Sequence, residues 1–162
     1  MKLSKNFRLR EFTRSQTAIR MGISNEIGEQ ELINLTWLVA KCIQPIRDEH
    51  GTVVINSGFR CLELNRAIGS GDGSSHIHAG SASAADIEAL KISNYELAKW
   101  ITENLDFDTV ILEFPGPDKR DGWVHIAYMS DGSNRNRVMT AVKEDGKTVY
   151  KEGLIYEYDQ SQ

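Results

Sequence analysis

The chain has 162 residues, a formal net charge of −4 at pH 7, 40% hydrophobic residues and 26% charged ones. These values are typical of one globular domain and exclude an intrinsically disordered chain or a basic nucleic-acid-binding protein. No apolar run approaches the roughly 20 residues of a membrane helix, and no secretory signal begins the chain, so we expect synthesis in the cytoplasm without membrane insertion. We also expect a monomer without a nucleic-acid partner.

The first half of the chain predicts an N-terminal arm, one long helix and a buried strand. Residues 1–25 mix polar and apolar side chains, which predicts an ordered arm packed on the core. From 29 to 49 apolar residues recur at helical spacing, with a kink expected at Pro45. The β-branched run 52–56 predicts a buried strand. The arm also carries a short basic group that a solvated face explains equally well: Lys2, Lys5, Arg8 and Arg10.

The second half alternates predicted helices and strands. Helices are expected over 62–69 and 94–105. Strands are expected over 84–90, 108–114, 123–129, 137–142, 148–150 and 154–158. A turn joins 108–114 to 123–129, which should therefore pair as a hairpin. The chain is thus predicted to be a single α+β domain over 1–162, an antiparallel sheet with helices packed on one face and 144–162 as an edge segment.

The stretch SSHIHAGSASAAD (74–86) holds two of the four histidines and ends on a carboxylate. Chance on a solvated loop is one explanation, and a metal site is the other, since imidazole and carboxylate are both zinc ligands. His125 shares a strand face with Trp123, which suits a pocket wall, although such a histidine alone is more often structural. Glu113 ends an apolar strand, where an unpaired buried carboxylate is costly without a partner or a role.

Several short motifs follow one another in a fixed order along the chain. They are INSGFR (55–60), LN (64–65), SSH (74–76), AADIE (84–88), DTVILEF (108–114) and WVHIAY (123–128). In order and separation they resemble the zinc-dependent D-Ala-D-Ala carboxypeptidase and L-alanyl-D-glutamate endopeptidase family, especially its small phage-endolysin members, over residues 3–143. The resemblance implies a zinc at the sheet, hydrolysis of an amide bond in peptidoglycan stem peptides, and action on the cell wall after release as a lysin.

The resemblance also implies the zinc ligands His76, Asp86 and His125. Ser74 matches the family's serine two residues before the first ligand, and it is implied to bind substrate. The loop between histidine and aspartate is about three residues longer here than in relatives, an insertion that loops tolerate at little cost. His78 therefore stays open as the alternative ligand.

Arg60 matches the arginine of the family's SG-aromatic-R motif and is implied to bind substrate, with a structural salt bridge as the alternative. The usual base position, three residues before the last histidine, is Gly122 here. Glu113 is the expected catalytic base, and Asp121 is the alternative. The longer loop and Gly122 leave open a non-enzymatic zinc-binding recognition or assembly module on the same fold, and the sequence also permits an amidase acting on another peptide.

Overall fold

The computed structural model describes residues 1–157. The fold is built on a mixed β-sheet. Within that part of the chain six strands form one sheet in the order β1-β2-β4-β3-β5-β6. The strands are β1 Val53–Ser57, β2 Ala82–Ala89, β3 Thr109–Glu113, β4 Trp123–Met129, β5 Arg137–Glu144 and β6 Lys147–Glu152. The fold is therefore a single-domain α+β fold, as predicted, with a mostly antiparallel sheet.

The helices account for the predicted helical segments and add two short ones in the arm. They are α1 Leu9–Thr13, α2 Gln16–Met21, α3 Glu29–Leu38, α4 Gln44–His50, α5 Leu62–Ala67 and α6 Asn94–Asn104. Ser93 caps α6 through a reciprocal pair of hydrogen bonds with Glu96. No helix among the described residues is long and apolar enough to span a membrane.

A π-helical turn, Val39–Ile43, joins α3 to α4 directly before Pro45. Proline lacks an amide hydrogen and clashes with the carbonyl four residues back, so a regular turn cannot continue through it. Here the N–H of Gln44 bonds to the carbonyl of Val39, five residues back. The wider turn accommodates the proline, and the predicted kink takes this form.

The main core lies between one sheet face and the helices. Ile87, Val110 and Val124 from the sheet share one buried cluster with Leu35 of α3 and Ile101 of α6. Phe7 and Phe12 of the N-terminal arm belong to the same cluster. Burying each such large side chain stabilises the fold by roughly 1.5–3 kcal/mol. The opposite face carries a smaller apolar cluster, which includes Ile111, Met139 and Ala141.

The strand pairing confirms one prediction and corrects another. β3 and β4 pair antiparallel as the expected hairpin, whereas β5 lies parallel to β3 on the other side. The strand predicted over 154–158 is wrong for 154–157, which form no strand; Tyr158 lies outside the described residues. After the left-handed Gly153, the N–H of Ile155 bonds to the hydroxyl of Thr140 instead of a strand carbonyl.

Candidate active site

Strand register brings two of the predicted ligands side by side. Asp86 of β2 lies directly opposite His125 of β4, and His125 lies opposite Ile111 of β3. Opposed residues in a sheet present their side chains on the same face. Because the neighbours Ile87 and Val124 point into the core, Asp86 and His125 point to the other face.

A loop between α5 and β2 adds His76 to this pair. Asp86 Oδ1 lies 3.0 Å from His125 Nδ1 and 3.3 Å from His76 Nε2. The ligand atoms of the three side chains lie within 4.8 Å of one another. Zinc bonds of about 2.0–2.2 Å in a tetrahedron separate neighbouring ligand atoms by roughly 3.3–3.5 Å. The two distances to Asp86 Oδ1 are close to this separation, so the three side chains could hold a zinc ion between two imidazoles and a carboxylate.

Backbone and hydroxyl groups fix the two imidazole rings. His76 Nδ1 donates to the carbonyl of Gly58 at 2.7 Å, which leaves Nε2 as the free lone pair. The hydroxyl of Ser75 lies 3.4 Å from His125 Nε2, and His125 Nδ1 lies 3.0 Å from Asp86 Oδ1. Each ring thus directs one nitrogen toward Asp86, Nε2 in His76 and Nδ1 in His125.

The SGFR segment (57–60) holds the loop that carries His76. A Cβ at Gly58 would lie 2.4 Å from the carbonyl oxygen of Phe12, so only glycine permits this approach. The N–H of Phe59 donates to that same carbonyl at 2.7 Å. The N–H of Arg60 donates to the carbonyl of His76 at 2.9 Å. The motif therefore fastens both the N-terminal arm and the metal loop.

His78 does not join the cluster. Its backbone is left-handed, and its fully buried ring contacts the carbonyl of Ala84 through Nε2 at 3.0 Å. Asn34 donates from Nδ2 to the carbonyls of His78 and Gly80. Burial lowers the pKa of His78 to about 4, so the ring is neutral at pH 7. The buried contacts of His78 and Asn34 thus hold the loop between His76 and Asp86 in place, while the ring of His76 faces Asp86.

The charge states of the cluster suit metal binding. Burial alone would raise the pKa of the Asp86 carboxyl, but hydrogen bonds with His125 and His76 outweigh it and hold that pKa well below its usual range. Burial lowers the pKa of His76 in spite of Asp86, and the charge of Arg60 lowers it further. An ionised carboxylate and a neutral imidazole are the forms that bind a cation.

Glu113 lies on the same sheet face as the cluster. It is two residues beyond Ile111, the partner of His125, so its Cα is a diagonal neighbour of His125 at about 7–8 Å. Burial raises the pKa of Glu113 to about 6; His125 and Arg60 lower it and Asp86 raises it. Such a carboxylate accepts a proton readily near neutral pH.

The other two candidate positions for a base lie elsewhere. Gly122 has φ +74°, and a Cβ there would lie 1.8 Å from the carbonyl oxygen of Glu113. The tight strand pairing therefore excludes any side chain at the family's usual position. Asp121 is exposed in the loop, where its Oδ2 accepts a hydrogen bond from the N–H of Asp118 at 3.1 Å, and it does not line the cleft.

A cleft of about 700 Å³ surrounds the cluster and includes Glu113, Arg60 and Ser74 in its walls. Arg60 is half-buried, and its Nε is buried without a hydrogen-bond partner among the described residues. Burial lowers the pKa of Arg60, and the charges of Asp86 and Glu113 oppose that change. Ser74 Oγ accepts the N–H of His76 at 3.3 Å and begins the 3₁₀ turn Ser75–Ile77.

Comparison with known families agrees with this geometry. The sequence model of the family described as Peptidase M15 matches residues 5–127. The chain belongs to the peptidase M15 family. Since peptidases of this family depend on zinc, the protein is a zinc metallopeptidase, which confirms the resemblance found from the motifs. A search of curated proteins finds no match.

Several residues that line the cleft of this M15 peptidase escaped the sequence reasoning. Ser75 stands beside His76 in the SSH motif, and its contact with His125 was not foreseen. Trp123 was expected beside His125 in a pocket wall, and the structure adds that its indole Nε1 is buried without a partner among residues 1–157. Three others come from strands beyond the region that the family model matches, and the sequence analysis assigned none of them to the site: Arg137, Met139 and Tyr150.

Proposed function

We propose that the chain hydrolyses an amide bond in peptidoglycan stem peptides. The observation that carries this proposal is the convergence of His76, Asp86 and His125 beside the half-buried Glu113, in a cleft open to substrate. Family membership supports the same conclusion, because relatives recognised by the motifs act on wall peptides.

His76, Asp86 and His125 are the proposed zinc ligands, through Nε2, Oδ1 and Nδ1. When bound, zinc polarises a substrate carbonyl and lowers the pKa of water toward about 7. Three protein ligands are the number that a catalytic zinc site would use, with substrate or water as the fourth ligand. The Gly58 carbonyl holds the His76 ring in the tautomer that zinc requires, and the Ser75 hydroxyl lies beside Nε2, the other nitrogen of the His125 ring.

Glu113 is the proposed general base. Its carboxylate takes a proton from the attacking water and passes it to the leaving amine, so that the amine departs uncharged. Burial raises the pKa of Glu113 to about 6, which suits a general base near neutral pH. Asp121 is not needed for this step because Glu113 lines the cleft and Asp121 does not.

Arg60 and Ser74 are the proposed substrate contacts. The unpartnered Arg60 Nε needs an acceptor, and a substrate carbonyl or carboxylate supplies one. The Ser74 hydroxyl accepts one backbone hydrogen bond and can still donate its own proton to substrate.

The scissile bond is of the D,D-carboxypeptidase or the L-alanyl-D-glutamate endopeptidase type. The proposed place of action is the cell wall, reached as a phage-type lysin reaches it; support comes from the likeness of the motifs to small endolysins. Mass spectrometry of digested peptidoglycan separates the two bonds, because the first releases free D-alanine and the second cuts between L-alanine and D-glutamate.

The experiment that tests the proposal compares wild type with Asp86→Asn, which preserves shape and removes the anion. We expect wild type to bind one zinc per chain and release wall peptides, and Asp86→Asn to lose both. Asp145→Asn, in an exposed left-handed turn position that asparagine tolerates, is the matched control. Zinc binding without cleavage of any wall peptide would favour the non-enzymatic recognition module.

A further inference from the structure

A second and larger cavity lies beside the cleft. It has a volume of about 870 Å³ and runs along β1, between the N-terminal helices α1 and α2 on one side and α5 on the other. Nothing in the proposed chemistry uses it. Its walls nevertheless carry positive charge, include the edge strand β1 and adjoin the catalytic cleft.

The charge of this groove is positive. Arg8, Arg10 and Arg14 line it, all three are exposed, and none forms an ion pair within residues 1–157. The acidic side chain in the wall is Glu11, whose carboxylate accepts the N–H of Arg8 at 2.7 Å and so caps α1. These three guanidinium groups, together with that of Arg60 and against one engaged carboxylate, favour an anionic ligand.

The backbone and apolar side chains of the groove suit an extended peptide. β1 is an outermost strand of the sheet, so the polar groups on its outer side have no neighbouring strand. An extended peptide can supply that partner. Ile19 is 71% exposed and Ile68 is 45% exposed on opposite walls, where they can cover apolar parts of such a ligand.

The groove is continuous with the catalytic cleft. Arg60 lines both cavities. Ser57 of β1 also lines the groove, and it lies directly opposite Asp86, the proposed ligand on β2. Adjacent strands are about 4.8 Å apart, so a peptide lying on β1 reaches the metal cluster within two or three residues.

We propose that this groove is a subsite for an extended, carboxylate-bearing segment of the same peptide whose bond is cleaved. The inference rests on the proposed function, because it names which part of that substrate binds outside the cleft. The carboxylates bind Arg10 and Arg14, and the peptide backbone follows β1. Stem peptides provide such a segment, since D-glutamate and the chain terminus carry free carboxyl groups.

The test is binding of a fluorescent stem peptide, measured by anisotropy at low salt, to zinc-loaded chains that all carry Glu113→Gln, so that the peptide stays intact. Arg10→Gln/Arg14→Gln should weaken binding about 5- to 20-fold, since it removes two partly exposed charge-assisted contacts. Lys2→Gln/Lys5→Gln makes the same change of charge in the same arm, outside the groove, and should change binding less than about two-fold. A peptide with amidated carboxyls should bind wild type as weakly as the arginine double variant binds the free acid.

Two results would overturn the subsite: equal losses for the two double variants, or equal binding of the acid and amidated peptides. Thermal unfolding of each variant separates a folding defect from a loss of contact, and Arg14→Lys should restore part of the affinity if charge is the cause. Since the assay needs no cleavage, wild type that binds the acid peptide selectively but never cuts it supports the groove and contradicts the proposed function.

Discussion

Glu113→Gln should stabilise the metal-free protein at neutral pH while it removes the proposed base. A carboxyl whose pKa is raised from 4.5 to about 6 in the folded chain loses up to roughly 2 kcal/mol of folding free energy once it is ionised. Because Glu113 keeps part of its contact with solvent, screening reduces this to about 1 kcal/mol. Glutamine has nearly the same shape and carries no charge.

The stabilisation expected for Glu113→Gln increases with pH. Between about pH 4.5 and 6 the folded chain holds this proton more tightly than the unfolded chain, so the stability from Glu113 falls as the pH rises. The advantage of the glutamine variant should therefore be near zero at pH 4.5 and complete above pH 6. Urea unfolding in a chelator at pH 4.5, 6 and 7.5 measures it.

The matched control is Glu103→Gln, which removes the same charge from an exposed glutamate of α6. Taking the difference between variant and wild type at each pH cancels the titration of every other group. If Glu113→Gln is destabilising at pH 7.5, or if its advantage does not change with pH, the carboxylate is not held in a desolvating position, and the reasoning about the base fails.

Three further predictions concern the metal loop. His76→Ala should abolish zinc binding, whereas His78→Ala should keep zinc and lower the free energy of unfolding by about 2–4 kcal/mol, since it empties a buried position. Elemental analysis measures the zinc content, and urea unfolding measures the free energy. Loss of zinc only in the His78 variant would reverse the assignment. Gly58→Ala should weaken zinc affinity about 10- to 100-fold because its Cβ displaces the carbonyl that orients His76, and competition with a chromogenic chelator measures this; unchanged affinity would contradict the positioning role. Chelation should lower the melting temperature, and zinc should restore it while magnesium does not; identical curves would mean that no zinc is held.

The alternation of strand residues made the central pair of the site predictable. His125 and Asp86 each stand in strands whose apolar neighbours point to the core, which leaves both on the other face, and the expected hairpin brings Glu113 onto that face as well. The order of the short motifs along the chain indicated the family. Sequence spacing alone did not separate His76 from His78, because the choice depends on the Asn34 contacts that close the loop.

Other features depend on contacts between segments distant in sequence. The parallel pairing of β5 with β3 and the placement of Tyr150 in the cleft follow from how the last hairpin packs, which no local pattern encodes. The exclusion of a side chain at Gly122 follows from its approach to the backbone of Glu113. In the same way, Arg8 and Arg10 of the arm line the groove only because α1 lies beside β1.

The most direct test of the account compares hydrolysis of purified stem peptides by zinc-loaded wild type and by Glu113→Gln with the same zinc content. We expect wild type to cleave one amide bond, and the variant to keep one zinc per chain but cleave at least about 100-fold more slowly. Equal rates at equal zinc content would contradict the assignment of Glu113. No cleavage by zinc-loaded wild type would contradict the proposed function itself.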